Sequence, residues 1–417
     1  MTINFSFKKH EIINLSLLLI LAFVVRVSLF PIPGYNVDLN TFSSWFNTAA
    51  QHGPRVFYNV VQWSDYPPLN IYLFWGFGSI ANIFSFNGTN LMFYLIKLLP
   101  SIFDIMITAV IFVYFRKHLN FRKSLLFASC YVFNPAVIIN SAIWGQLDAI
   151  YTFFILLSLI FVLDSKPKLA IILLVLGLLT KPQSIAIAPL ILFLICRKHD
   201  WKTVATSLLM GIVTIFAVII PFEWSNPIVF LSDIYLGAYQ GYSFTTLNAF
   251  NLWALGGLWV NETVFLFLTG WILFGTLCTY ALFVLHKRFS EDLFVIFIAF
   301  TLLLGFFMLP TRIHERYLFP AFSILTLTLP FLKKIRPIYV ILSATFFINQ
   351  AYVLYYLNLG TFISPGDLVV LTVSLINLII LVYILTVIWS KFKGRSSLIS
   401  EIKNNSDKIE ETKKFGD

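Results

Sequence analysis

The chain has 417 residues, 59% of them hydrophobic and 12% charged, with a net charge of +10. Soluble domains carry roughly 25% charged residues, so this composition excludes an ordinary globular enzyme and points to a bilayer, where about 20 apolar residues make one crossing. The basic excess sits in short clusters between apolar runs, where it reports membrane orientation and not nucleic-acid binding.

Apolar segments lie near 11–31, 70–86, 91–115, 123–142, 148–164, 168–181, 184–197, 203–221, 263–285, 293–310, 317–332, 337–357 and 367–390. The last is apolar on every face and shows no barrel-like alternation, so the expected fold class is all-α. The first run follows Lys8, Lys9 and His10 as in a signal peptide, but it is long and lacks a small-residue cleavage site, and it reads as a retained helix. Cys130, Cys196 and Cys278 sit inside apolar segments without disulfide or zinc spacing and read as packing residues.

Basic patches at Arg116/Lys117/Arg122/Lys123, Lys166/Lys168, Arg197/Lys198/Lys202, His286/Lys287/Arg288 and Lys333/Lys334/Arg336 separate the segments. Short cytoplasmic loops hold the excess Lys and Arg. If 70–86 spans, counting from the N-terminus puts the Arg116 patch outside, whereas counting back from the C-terminus puts it inside. The conflict disappears if 70–86, with its Pro67-Pro68 start and internal glycines, is a re-entrant or interfacial helix on the outer side. The expectation is one polytopic helical bundle over 1–390 with about 12 transmembrane helices and both termini cytoplasmic. Segments 168–181 and 184–197 form a short pair meeting at Lys181-Pro182-Gln183; outer loops cover 32–69 and 222–262, and 391–417 is a disordered cytoplasmic tail.

This count used none of YNVDLNTFSSWF (35–46), SDYPPL (64–69), WGQLD (144–148), TKPQ (180–183) or RIHERYLFP (312–320), yet it brings all of them to the outer side. Ionisable residues at that depth are expensive and functional, so their convergence predicts a cavity at the outer boundary. Asp38 lies in a loop of nearly forty residues (32–69), a length that suggests function, and reads equally as the N-cap of a helix over 39–50. Asp65, before Tyr66-Pro67-Pro68, reads as a cap and turn. Lys97 and Asp104 project from one face of 91–115: Lys97 either joins the cavity or snorkels to the interface, and the deeper Asp104 needs a partner, for which Arg26 is the candidate.

Trp144, Gln146 and Asp148 form a corner whose ring, amide and carboxylate suit a hydroxyl-rich ligand such as a sugar. If 312–316 is helical, Arg312 and Arg316 share a face and Glu315 pairs with Arg312 at i, i+3. With His314 and Lys181 they make an anion site, and the planar arginine fork suits phosphate. Acceptor recognition is expected in the aromatic loop 222–262.

Taken together, these motifs resemble the GT-C superfamily of polytopic glycosyltransferases, in its bacterial branch related to the PIG-V type of mannosyltransferase. The carrying residues are Asp38 in YNVDLNTF, then DYPPLNIYLFW, NPAVIINSAIWGQLDAIYTFF, LGLLTKPQSIAIAPL and RIHERYLFP, so the resemblance covers almost the whole chain to the early 320s. It implies inverting transfer of a hexose, mannose by analogy, from a polyprenyl-phosphate donor to a glycolipid, glycan or protein acceptor outside a bacterial plasma membrane. The acidic residue of the first outer loop is the general base in such enzymes, and the matching position is Asp38. Many relatives carry paired acids there; this chain has one, in Val37-Asp38-Leu39, so no cofactor or metal is expected, with Asp65 the residue that would support one.

On this reading Lys97, Lys181, Arg312, His314 and Arg316 bind the donor phosphate, while Asp65, Tyr66, Trp144, Gln146, Asp148, Gln183 and Glu315 face sugar and acceptor. The lipid donor accounts for the lack of a GxGxxG motif. The competing readings are a transporter or flippase of lipid-linked sugars, which would set its site at the midplane between related halves, and a polysaccharide polymerase or ligase, which would have a larger outer loop in the second half.

Overall fold

The computed structural model describes residues 8–287 and 291–392, and among them the fold is almost entirely helical. Of the expected tail over 391–417, residues 393–417 fall outside the described residues, as does Arg288, whereas Lys391 and Phe392 belong to the last helix and not to the tail. The chain begins with α1 (Lys9–Leu29), α2 (Asn36–His52), α3 (Phe57–Val60), α4 (Pro68–Ile83) and α5 (Asn90–Arg116). Next come α6 (Phe121–Val132) and α7 (Pro135–Ile138), a π-helical turn over Ile139–Trp144, α8 (Asp148–Leu163), α9 (Pro167–Leu178), α10 (Ala188–Lys198) and α11 (Trp201–Ile219). The second half contains α12 (Pro227–Gln240), β1 (Thr246–Leu247), α13 (Val264–Lys287), α14 (Asp292–Met308), β2 (Ile313–His314), α15 (Phe319–Thr326), α16 (Arg336–Leu359) and α17 (Leu368–Phe392).

Each apolar segment read from the sequence coincides with one or more of these helices. Six of them, α1, α5, α11, α13, α16 with the turn before it, and α17, are long and apolar enough to cross a membrane. The bent unit from α6 to the π turn makes a seventh if its 48° bend lies within one span. Their outer faces carry Leu17, Ile20 and Val24 on α1 and Leu209, Ile212 and Val213 on α11, apolar surface that lipid accommodates and water penalises. At the other extreme α14 is buried on every face from Leu293 to Met308 and packs against α13, α15 and α17, so a helix apolar all round forms the centre of the core.

The first outer loop is itself folded. α2 buries Leu39, Phe42, Trp45, Phe46 and Ala49 at helical spacing against α4, where Ile71, Phe74 and Gly78 face them. The helix starts earlier than its sequence reading: Tyr35 occupies the N-cap position and Asp38 lies inside the first turn, so Asp38 does not cap it. Asp65 likewise does not cap α4, whose N-cap position is Pro67. α12 occupies what reads as loop in 222–262; its Asn226-Pro227 start is a helix-initiation signal, but one side of the helix is apolar and exposed, with Ile228 and Leu236 outside, which blurs the amphipathic pattern.

Gly78 marks where α2 and α4 touch most closely, since a Cβ there would overlap the carbonyl oxygen of Phe46, whereas a Cβ on Gly76 would meet nothing within 4 Å. Gly78→Ala is therefore expected to cost about 1–3 kcal/mol through overpacking. Gly76→Ala should gain up to about 1 kcal/mol from helix propensity. Thermal unfolding of the two variants in detergent checks the contrast; equal midpoints would show that the contact yields without cost.

Candidate active site

The polar islands of the sequence meet at the ends of helices. Asp38 Oδ2 accepts hydrogen bonds from Trp144 Nε1 at 2.8 Å and Gln146 Nε2 at 2.7 Å, and its Oδ1 receives none from any described residue. The π turn delivers both donors. Ser141 Oγ within it donates to Asp104 at 2.6 Å, and Asn140 Nδ2 to Gln350 Oε1 at 2.9 Å. Gly145 then reverses the chain at φ 85°, with room for no more than hydrogen, since a Cβ would sit 3.0 Å from Leu39 Cδ2.

Asp148 opens α8 fully buried and accepts from Lys181 Nζ at 2.7 Å. The Lys181 ammonium also lies over the rings of Tyr66 and Tyr151, at 5.4 and 5.8 Å from their centroids, which stabilises the cation in a desolvated place. The SDYPPL segment is fastened beside it: Leu69 N–H donates to Leu179 O at 3.0 Å and Asn70 Nδ2 to Thr180 O at 2.5 Å.

The stretch 312–316 is not helical, so the expected sharing of a face by Arg312 and Arg316 does not occur. Arg312 adopts φ 63° and the next two residues pair in parallel with β1, Thr246 opposite Ile313 and Leu247 opposite His314. Arg312 Nε and Nη2 clasp Glu262 Oε2 at 2.8 and 2.5 Å, and the guanidinium covers the Tyr239 ring at 4.3 Å. Glu315 pairs with Arg316 at 2.8 Å and not with Arg312.

Lys97 is a further correction. Its Nζ, 1% exposed as a residue, donates to the carbonyls of Phe30 at 2.8 Å and Ile32 at 2.6 Å, so it neither lines the cavity nor snorkels. It satisfies carbonyls at and beyond the end of α1, a role suited to a cation.

A cavity of about 180 Å³ is lined by Asp65, Lys181, Gln183, Arg312, His314 and Arg316 together with the rings of Tyr66, Tyr235, Tyr239, Tyr242, Trp271 and Phe306. The two kinds of side chain are interleaved, with the Arg312 guanidinium over Tyr239 and the Tyr242 ring 5.3 Å from His314. Four polar atoms on its walls, Tyr66 Oη, Gln183 Oε1, Thr311 Oγ1 and Arg316 Nε, are buried without a partner among the described residues. Buried polar atoms are rarely left so, and a ligand would satisfy them. Behind this wall stand Asp148 under Lys181 and Glu315 under Arg316. Asp38, Trp144 and Gln146 do not line the cavity, but the Asp38 charge acts on Asp65, Tyr66, Tyr242 and Glu315.

Burial, followed by the positive charges of Arg316 and Lys181, holds His314 well below the ordinary imidazole range, so at neutral pH it offers a neutral N–H and no charge. Burial pushes the Asp65 carboxyl up against the opposing pull of Arg316 and Lys181, and it raises Glu315 against Arg316. Among the described residues no group of three or more His, Cys, Asp or Glu side chains is placed to hold a metal ion. The aromatic loop 222–262 supplies cavity rings in Tyr235, Tyr239 and Tyr242, but its sequence reading missed the helix that sets the first two at i, i+4 on one face.

Fold and site together define a helical membrane-type protein with a cavity lined by both cationic and aromatic side chains. No protein-family model matches the chain, and no curated protein shows significant similarity to it.

Proposed function

We propose that the protein is a GT-C-type membrane glycosyltransferase that moves a hexose, mannose by the family resemblance, from a polyprenyl-phosphate donor to an extracytoplasmic acceptor. The observation that carries this reading is the lining of the cavity: Lys181 and the unpartnered Arg316 Nε suit a phosphate, and the tyrosines, Trp271 and Phe306 that share the wall suit the adjoining isoprenoid. In this reading α4 is re-entrant on the outer side and about twelve crossings bring both termini to the cytoplasm of a bacterial cell. A transporter would set its ionisable groups at mid-membrane, whereas Asp65, Lys181 and the 311–317 stretch stand in the connections between helices, which favours the transferase.

The chemistry balances with the residues present. Asp38 takes the proton of an acceptor hydroxyl as its oxygen bonds to the anomeric carbon from the face opposite the phosphate. The anomeric C–O bond breaks, the electron pair stays on the phosphate, and Arg316 and Lys181 compensate that charge. Configuration at the anomeric carbon inverts. Trp144 and Gln146 keep Asp38 in place, and His314 contributes a neutral donor. Glu315 and Asp148 hold the two cations at the cavity wall.

The test is direct. Purified protein in a detergent without a sugar headgroup is supplied with radiolabelled polyprenyl-phosphate mannose, glucose or galactose and a mixture of alkyl glycosides. The expected result is label transfer with one donor, coupled to release of polyprenyl phosphate. Stable donor in every combination, with the protein folded, sinks the reading.

A further inference from the structure

A second cavity, of about 280 Å³, is lined by residues that follow β1 and by the end of α16. Asn248, which follows β1, bridges His314 of β2, so a wall residue of this cavity is joined through the backbone to a wall residue of the first. The second cavity is walled by the rings of Tyr35, Trp259, Tyr356 and Phe362, with Asn248 and Thr361 as polar members, and none of its lining residues is charged. Its wall is built under constraint. Trp259 adopts left-handed backbone at φ 58°, which a bulky residue rarely does unless its surroundings hold it there, and Asn248 adopts it at φ 65°, a conformation asparagine tolerates. Trp259 Nε1 donates to Asn248 Oδ1 at 2.8 Å, and its ring meets Phe244 edge-on at 5.2 Å. That bond fixes the orientation of the Asn248 amide and leaves its Nδ2 without a partner among the described residues.

An uncharged cavity excludes an anion, and its amide and hydroxyls set it apart from a groove for a lipid chain. Flat aromatic faces beside a fixed amide donor match one ligand class, a neutral pyranose, whose C–H face stacks on rings while its hydroxyls take the polar groups. Tyr35 joins this cavity to the chemistry: it holds the N-cap position of α2, one turn before Asp38, and burial together with the Asp38 charge pushes its hydroxyl up. Trp144, bonded to Asp38, packs in the same apolar cluster as Tyr35, Val353 and Leu357 of the cavity wall.

We infer that this second cavity binds the terminal sugar ring of the acceptor, with Asn248, Trp259 and Tyr356 as its recognition residues, so that the acceptor is a carbohydrate-bearing molecule. The acceptor role rests on the transferase reading, while the pyranose site stands on the cavity itself.

Full-length protein in an amine-oxide detergent is irradiated with a diazirine-bearing octyl mannoside, and the labelled peptides are mapped by mass spectrometry. Label is expected in 246–263 and 352–363, displaced by methyl mannoside and not by glycerol. Asn248→Asp keeps the acceptor for Trp259 but replaces the free N–H donor, and it should lower labelling roughly tenfold at an unchanged melting temperature. Tyr356→Ala, in a half-buried wall residue, provides a second variant with the same expected loss. Asp38→Asn should label as the parent does. Label spread over the lipid-facing helices and indifferent to methyl mannoside and to both variants overturns the site. Transfer activity without such labelling sinks this cavity assignment alone; specific labelling in a protein that transfers no sugar sinks the transferase reading alone.

Discussion

Asp38→Asn is expected to lower kcat for hexosyl transfer by roughly 10²–10⁴-fold while leaving the fold and the KM for the donor near their parent values. The substitution is isosteric, and the amide oxygen can still accept from Trp144 Nε1 and Gln146 Nε2, so the corner built by the π turn persists. What disappears is a site for the acceptor proton. Donor affinity should hold, because the phosphate site is made by Lys181 and Arg316, whose carboxylate partners are Asp148 and Glu315 and not Asp38. The competing base is Asp65, which lines the cavity directly. Steady-state kinetics on Asp38→Asn and Asp65→Asn in parallel separate the two: full turnover in the first and none in the second would move the base to Asp65.

The parts legible in the sequence were those in which the bilayer leaves few choices. A charge within a long apolar run must find an opposite charge, and Asp104 does find Arg26. The short polar islands were read as one group from the expected topology, and hydrogen bonds join three of them, Asp38 to Trp144 and Gln146 and Asp148 to Lys181, while Asn70, one residue past SDYPPL, reaches Thr180. What stayed hidden depends on partners far along the chain. Lys97 is claimed by carbonyls of Phe30 and Ile32, and a free carbonyl leaves no mark in a sequence. Arg312 looks like a neighbour of Glu315 until a left-handed backbone and pairing with β1 turn it to Glu262, fifty positions earlier. The helix that carries Tyr235 and Tyr239 was missed for a different reason, because α12 exposes an apolar side and so lacks the pattern that announces a helix.

The second large effect is on stability and concerns the buried ion pair between α1 and α5. Arg26 Nε meets Asp104 Oδ2 at 3.1 Å with both side chains fully buried, Ser141 Oγ shares that oxygen at 2.6 Å, and Tyr131 Oη donates to Oδ1 at 3.2 Å. Asp104→Leu strands the Arg26 charge, and removal of one member of a buried pair costs about 3–5 kcal/mol, a large share of the roughly 5–15 kcal/mol that holds a typical domain. The single variant should therefore fail to accumulate or should melt far below the parent. Arg26→Met combined with Asp104→Leu removes both charges, and apolar replacement of a buried pair is often neutral or favourable. Tyr131 still loses its acceptor in the double variant, which leaves a deficit of about 1–3 kcal/mol. Activity should not recover in step with stability. Ser141 belongs to the turn that presents Trp144 and Gln146 to Asp38, and without Asp104 its hydroxyl keeps only the weaker bond to Val137 O at 3.2 Å. The expected pattern is a double variant that folds, binds donor and turns over slowly, measured by melting temperature and by kcat against KM on the same preparation. A double variant as unstable as Asp104→Leu alone would show that the pair is held for its hydrogen bonds and not for charge balance; parent-like kcat would uncouple this cluster from the site.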